Sequence, residues 1–323
     1  MNSVCASAPG KVVLSGEYAV LQGAPAVCMA VDRRAIARVT PVDAAWNTVT
    51  APGYSPVEGR FAYEAGVPRW FQGENEYKLV DAAWRSLDPA SDGHLSIELD
   101  TRAFYDEASG VKIGLGSSAA LTVALTAALA PTRELLASAM RVHHLFQSGS
   151  GSGVDIATSF SGGLLEYRMK DAIVSPLDWP EGLAYRLIWT GVPVSTAGKL
   201  ARLQETGNGR SRDALLQSAA SMAGAWRSAA AVMSQLPAYV ETLRQFSNDH
   251  DLGIFEAGHD KLVAEAHAAG LVYKPCGAGG GDVGILLGTS NEQLDEFLTG
   301  MAITGCRVLE CELAMQGVDW ERH

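Results

Sequence analysis

Apolar positions follow two rhythms along this chain. Short runs rich in Val, Ala and Ile predict extended segments at Ser3–Ala8, Pro25–Val31 and Arg34–Pro41, with turns at Pro9-Gly10 and Gly23. His94–Leu99 alternates His-Leu-Ser-Ile-Glu-Leu, the period of a half-buried strand, and Gly162–Arg168 reads as another. A helical rhythm over Asn75–Leu87 puts Leu79, Ala82, Ala83 and Leu87 on one side. Ser117–Ala130 is a helix of small and apolar residues, expected to be buried on most sides, and Pro131–Phe146 is a second helix.

After Lys170 the pattern changes. Asp171–Leu177 and Leu183–Trp189 read as strands, and Ser195 to about Gly258 is helical, broken at Gly207-Asn208-Gly209 and Pro237. Leu271–Tyr273, Asp282–Leu287 and Cys306–Leu313 read as strands around a helix at Glu292–Thr299. Hairpin-like strands with segregated helices predict an α+β fold in two lobes, residues 1–170 and 171–323.

Composition narrows the function. The 323 residues are 47% apolar, which supplies a core and argues against disorder. A net charge of −11 makes the chain a poor general binder of nucleic acid or of an anionic membrane, so an anion must be held in a local pocket. The start Met1-Asn2-Ser3-Val4-Cys5 lacks a basic segment followed by an apolar core and is not read as a signal peptide. The stretch Ala119–Ala130 stops at Pro131, too short to span a bilayer. The five cysteines (Cys5, Cys28, Cys276, Cys306, Cys311) are odd in number and lack CxxC spacing, so thiols in a reducing, cytoplasmic compartment are expected.

Four segments carry candidate chemistry. In Lys112-Ile113-Gly114-Leu115-Gly116-Ser117-Ser118-Ala119-Ala120, two glycines allow close backbone approach and two hydroxyls stand where a helix begins. Free N–H groups and the helix dipole make such a terminus an anion site, although a serine cap after a glycine turn has the same pattern, and no Gly-Lys-[Ser/Thr] ends it as in a Walker A loop. Lys274-Pro275-Cys276-Gly277-Ala278-Gly279-Gly280-Gly281-Asp282 holds more glycine than a hairpin needs, which suggests backbone wrapped around a ligand rather than a flexible turn. In Gly149-Ser150-Gly151-Ser152-Gly153-Val154-Asp155, the carboxylate either caps a helix or points into a cleft. In Ser7-Ala8-Pro9-Gly10-Lys11, with Gly16-Glu17-Tyr18 beyond, a single lysine stands in an apolar run, where surface snorkelling is the plain alternative.

Taken in order, three of these segments resemble the signature motifs of the GHMP small-molecule kinases: Pro9-Gly10-Lys11 with Gly16-Glu17-Tyr18, Gly114–Ala120, and Gly277–Asp282. The match spans Ser7 to Asp282, and its details are most similar to the phosphomevalonate kinase branch: Tyr18, Lys112, Asp282, His144-Leu145-Phe146-Gln147, and Trp189-Thr190-Gly191 followed by Ser195-Thr196. Two features depart from the pattern. His144 stands eleven residues before Asp155, where many members carry a Mg²⁺-binding Glu, and the chain is compact for that branch.

The resemblance implies an N-terminal domain with a left-handed βαβ unit and a ferredoxin-like C-terminal domain. It implies ATP and Mg²⁺ as cofactors, with Lys112, Gly114, Leu115, Gly116, Ser117, Ser118 and Ala119 on the nucleotide and the two serine hydroxyls as metal ligands. Lys11 and Asp155 become the catalytic pair. Glu17, Tyr18, Ser152, Gly153, Ser195, Thr196, Lys199, Gly277, Ala278 and Gly279 become the acceptor site. The expected reaction is transfer of the ATP γ-phosphoryl to 5-phosphomevalonate. Mevalonate or another alcohol is the alternative acceptor, and an ATP/metabolite sensor without turnover is the alternative of a different class. The expected partner is a small phosphorylated acceptor, not nucleic acid or membrane, and homodimers occur in the family. Lys199, Arg202, Arg210 and Arg212 could hold the acceptor's own anion or form a solvated helix face, and Trp84 could border the adenine.

Overall fold

The computed structural model describes residues 2–89, 93–205, 209–300 and 305–323, leaving aside the side chains of Thr196, Ala197, Gln204 and Glu205. The first part contributes β1 (Val4–Ser15), β2 (Ala26–Val42), β3 (Asn47–Ala51), β4 (Ser55–Glu64), β5 (Val67–Gln72), α1 (Lys78–Leu87), β6 (His94–Asp100), α2 (Ser117–Leu129), α3 (Leu135–Phe146), α4 (Val154–Ser161), β7 (Leu164–Arg168) and β8 (Ile173–Leu177). The second contributes β9 (Ala184–Trp189), α5 (Thr196–Glu205), α6 (Arg210–Ala225), α7 (Ala229–Asp249), α8 (His259–Ala268), β10 (Val272–Pro275), β11 (Val283–Gly288), α9 (Asn291–Gly300), β12 (Arg307–Leu309) and β13 (Asp319–Arg322).

One sheet runs β13-β1-β2-β6-β3-β4-β5, with β7 pairing β2 and β8 pairing β7. Pro9-Gly10, expected as a turn, instead lies inside β1. The register jumps from Pro9 opposite Arg34 to Gly10 opposite Val31, so Asp32 and Arg33 bulge from β2 and both strands continue. A proline that cannot donate sits where the ladder is already broken. Strands β3 to β5 were not foreseen, because Pro52, Gly53, Pro56 and Gly59 interrupt their alternation.

The second sheet is antiparallel with order β10-β11-β9-β12. Leaving the α5–α7 insertion aside, the order of elements β9, α8, β10, β11, α9, β12 is a ferredoxin-like βαββαβ arrangement. The last strand, β13, returns to the first sheet, where Val4 faces Arg322. The fold is therefore mixed α+β, as expected. Helix α7 runs unbroken through Pro237. Its stripe Val232, Leu236, Tyr239, Val240, Leu243 and Phe246 is buried, which outweighs a proline cost of about 3 kcal/mol.

The largest apolar core joins the two sheets, with Val12 and Leu14 of β1, Leu215 of α6 and Trp226 at its end, and Ile285 and Leu287 of β11 in one cluster. Helix α2, nearly all buried, lies against β1 and β2. Its N-terminus consequently points at the seam where the two sheets meet. All five cysteines are free thiols, and among the described residues no helix is long and apolar enough to cross a membrane.

Candidate active site

Backbone geometry places Lys11. Its N–H donates to Leu115 O at 2.8 Å, tying β1 to the glycine loop before α2. A Cβ on Gly10 would stand 2.7 Å from Leu115 O and 2.8 Å from the Phe104 ring, so this close approach requires glycine. The Lys11 side chain then runs over Gly116, where a Cβ would stand 2.8 Å from Lys11 Cε. Its Nζ lies 3.0 Å from Asp155 Oδ1. Asp155 is the second residue of α4, presented by Gly153 in the left-handed conformation at φ 79°. Burial acts to lower the Lys11 pKa and the adjoining Asp155 carboxylate acts to raise it; the balance lies above the ordinary lysine value.

The loop before α2 is clasped between two side chains. Gly114, at φ 95°, leaves no room for a Cβ beside the Asp282 carboxyl, which would be 2.3 Å away. Gly116 caps α2 at φ 77° without any side-chain cap bond, so the first N–H groups of the helix stay open. Leu115 and Ala119 are fully covered and offer backbone only. Burial pushes the Asp282 carboxyl up to about 6, against the opposing pull of the Val194 N–H, Lys11, Lys112 and Lys199. Lys112 is lowered by its own burial, an effect partly offset by Asp282.

A cleft of about 320 Å³ joins these groups, with Lys11, Lys112, Gly116, Ser118, Asp155 and Asp282 on its walls. Glu17, Tyr18, Ser152, Gly153, Gly277 and Ala278 also line it. A second cavity of about 190 Å³ shares Lys112 and Ser118 with the first, reaches Ser117, Glu76 and Thr101, and is otherwise bounded by apolar and aromatic groups such as Tyr54, Tyr105, Leu121 and Phe146. The start of α2 therefore stands between a charged cleft and an apolar slot.

The other expected residues take several positions. Both Glu17 oxygens are engaged: Lys274 Nζ donates to Oε1, and Tyr239 Oη donates to Oε2 at 2.7 Å. This cluster is almost wholly buried, with Lys274 0% and Glu17 3% exposed. Tyr18 Oη donates to Ala278 O at 2.7 Å, and Lys199 Nζ donates to Gly279 O at 2.7 Å. Burial lowers the Lys199 pKa. Ser195 is exposed and does not line the cleft; its neighbours Pro193, Val194 and Leu200 do. Thr196 opens α5, and its side chain lies outside the described residues. Arg202 donates to Asp251 O at 3.1 Å, and Arg212 to Leu203 O at 3.3 Å, so neither is aimed at the cleft.

One expectation is corrected. Trp84 borders neither cavity; it is 2% exposed and packs edge-on against Phe61 at 5.0 Å. The residue of α3 on the cleft wall is His143, while its exposed neighbour His144 does not line the cleft, since neighbours on a helix diverge by about 100°. Burial lowers the His143 pKa. Lys274, Tyr239 and His259 were not foreseen. Lys274 alone left a trace, as a lysine in the apolar run Leu271-Val272-Tyr273.

A Mg²⁺ ion fits this cleft only as a phosphate-borne ion. Among the described residues no three His, Cys, Asp or Glu side chains gather into a cage, but Ser118 and Asp155 on the cleft wall, with Ser117 at the adjoining cavity, offer the hard oxygen donors such an ion takes beside phosphates.

An open helix N-terminus, a lysine–aspartate pair and a glycine-rich third wall thus border one cleft. Residues 78–163 match the family described as GHMP kinases N terminal domain. It is 28% identical over 344 residues to phosphomevalonate kinase of Streptomyces sp., covering 88% of this chain and 90% of that one. It is 29% identical over 371 residues to mevalonate kinase of Bos taurus, covering 93% and 90%. The fold superposes on Streptococcus pneumoniae phosphomevalonate kinase in complex with phosphomevalonate and AMPPNP with a TM-score of 0.78 at 18% identity, covering 95% of this chain and 99% of that one.

Proposed function

We propose that this chain is a phosphomevalonate kinase, transferring the γ-phosphoryl group of ATP to the phosphate of (R)-5-phosphomevalonate to give 5-diphosphomevalonate. The observation that carries this reading is the Lys11 ammonium, 3.0 Å from Asp155, lying over Gly116 between the open start of α2 and the rest of the cleft. The likeness to the Streptomyces enzyme supports the choice of acceptor.

A phosphomonoester has a second pKa near 6, so at neutral pH its attacking oxygen is already deprotonated. No strong base is needed. The barrier is the approach of two polyanions, and positioning with positive charge lowers it. The phosphates of ATP lie on the N–H groups of residues 114–119, with the adenosine in the apolar slot beside Tyr54, Tyr105 and Phe146. Lys11 neutralises charge between donor and acceptor. Asp155 holds the Lys11 ammonium and keeps the acceptor in line. An acceptor oxygen bonds to the γ-phosphorus as the bond to the bridging oxygen breaks, and that oxygen leaves with ADP. Mg²⁺, held by Ser117, Ser118 and Asp155 beside the phosphates, supplies charge neutralisation when bound. Glycine-loop N–H groups at Gly277–Gly279 take the acceptor's own anion. We further place the lobe division between β8 and β9, past the residue 170 expected from sequence because β8 pairs with β7 in the first sheet, and the protein in the cytoplasm as a soluble enzyme.

A mevalonate kinase reading draws on the bovine relative. Coupled ADP release with phosphomevalonate, mevalonate, homoserine and galactose separates the two. The reading expects kcat/KM for phosphomevalonate to exceed that for any of the alcohols by at least about a hundredfold. Preference for mevalonate would overturn the acceptor assignment, and turnover of none of the four would favour a sensor.

A further inference from the structure

The segment between β10 and β11 is held by its carbonyls. Tyr18 Oη donates to Ala278 O, Lys199 Nζ to Gly279 O, and His259 Nε2 to Gly281 O at 2.9 Å. These donors come from three distant parts of the chain. Among the described residues, the N–H groups of Gly277, Ala278 and Gly279 find no protein acceptor.

His259 is 0% exposed, and its two ring nitrogens have opposite duties. Gly281 O can only accept, so Nε2 carries the proton. Nδ1 of the neutral ring is then an acceptor, and Tyr273 Oη donates to it at 2.9 Å. Burial lowers the His259 pKa to about 4, which keeps the ring neutral. The peptide unit held at Gly281 O is also held at its other end, where Asp282 N donates to Val192 O at 2.7 Å. A planar unit fixed at both ends has one orientation. It carries Asp282, whose carboxyl packs against Gly114 and accepts from Val194 N at 3.2 Å.

We propose that His259 is a positioning residue of the cleft: the buried chain Tyr273–His259–Gly281 sets the peptide that places Asp282 against the phosphate loop and keeps the Gly277–Gly279 N–H groups turned to an anionic group of the acceptor. The kinetic part of this proposal rests on the phosphoryl-transfer reading above; the structural part does not.

Three variants test it. His259→Phe keeps a ring and removes both hydrogen bonds. His259→Gln restores an N–H at the Nε2 position. Leu262→Ala, in the apolar cluster that includes Leu286 and Leu294, controls for lost packing alone. Amide hydrogen exchange at 277–282 is expected to accelerate at least about tenfold in His259→Phe, to return to within about threefold of wild type in His259→Gln, and to stay near wild type in Leu262→Ala. With phosphomevalonate, His259→Phe raises the acceptor KM about tenfold. The wild-type imidazole ¹⁵N shifts should show the Nε2–H tautomer. Unchanged loop exchange in His259→Phe, or an Nδ1–H tautomer, overturns the proposal. Altered loop exchange in a protein that turns over no acceptor upholds the positioning role and rejects the kinase reading instead.

Discussion

Glu17 belongs to a motif that suggests a contact with substrate, yet its carboxylate is engaged from behind by Lys274 and Tyr239. Lys274→Met separates these roles. The substitution leaves a carboxylate with 3% exposure without its counter-ion. Breaking a buried pair by removing one partner costs about 3–5 kcal/mol. Lys274 Nζ also donates to Pro275 O at 2.6 Å. Losing that bond adds about 1 kcal/mol, and the retained Tyr239 bond takes some of it back, so the expected loss is about 4 kcal/mol. At roughly 2 °C per kcal/mol for a chain of this size, Tm falls by about 8 °C. The double variant Glu17→Gln/Lys274→Met buries no unpaired charge and should recover at least about half of the loss. Guanidinium unfolding followed by circular dichroism, at a constant m-value, measures both proteins. In the double variant the acceptor KM should stay within about threefold of wild type, because the carboxylate holds Lys274 rather than substrate. A single variant within about 1 kcal/mol of wild type, or a double variant no better than the single, would refute the reasoning.

Further expectations concern the cleft. Lys11→Met should lower kcat by about a thousandfold or more, whereas Asp155→Asn should cost no more than about a hundredfold with a phosphate acceptor, since no proton has to be removed; single-turnover rates check the grading, and equal losses would argue for a base at Asp155. Burial holds the Asp282 carboxyl near 6, above its unfolded value of 3.8, so its contribution to stability is full below about pH 4 and is lost as pH rises through 6. The rise from 3.8 to about 6 bounds that contribution at about 3 kcal/mol, and comparing wild type with Asp282→Asn by denaturant unfolding from pH 4 to 8 isolates it. Leu121→Trp, filling the apolar slot, should raise the ATP KM about tenfold or more while leaving the acceptor KM near wild type; the reverse pattern would place the adenosine elsewhere.

Much of the site was legible in the sequence because its parts are local. A glycine pair before a helix of small residues marks where a helix starts, which the structure leaves without a side-chain cap bond, and Lys11 and Asp155 each stand one or two residues from a glycine that shapes their approach. The strands were harder, because Pro9-Gly10 has the composition of a turn and only pairing with β2 turns it into a bulge. The supporting residues were out of reach for a different reason. Lys274 and Glu17 lie 257 residues apart, and His259 meets Gly281 over 22 residues, from the start of α8 to the turn after β10. The lysine after an apolar run and the glutamate in its motif each leave a trace, but nothing in the sequence pairs them, since a buried lysine is recognised only by the acid that neutralises it. Lys199 shows the converse: a cation in a basic cluster suggests an anion site, but its ammonium is engaged by the carbonyl of Gly279.

The central claim is that a phosphate oxygen, not an alcohol, receives the phosphoryl group beside Lys11. ³¹P NMR of wild-type protein with ATP, Mg²⁺ and phosphomevalonate reads this directly. The account predicts a pair of coupled diphosphate resonances growing as the phosphomevalonate singlet and the γ-phosphate of ATP decline together, with no such growth in Lys11→Met. A phosphomevalonate singlet that stays intact, while mevalonate supplied in its place gains a new monoester resonance, would contradict it.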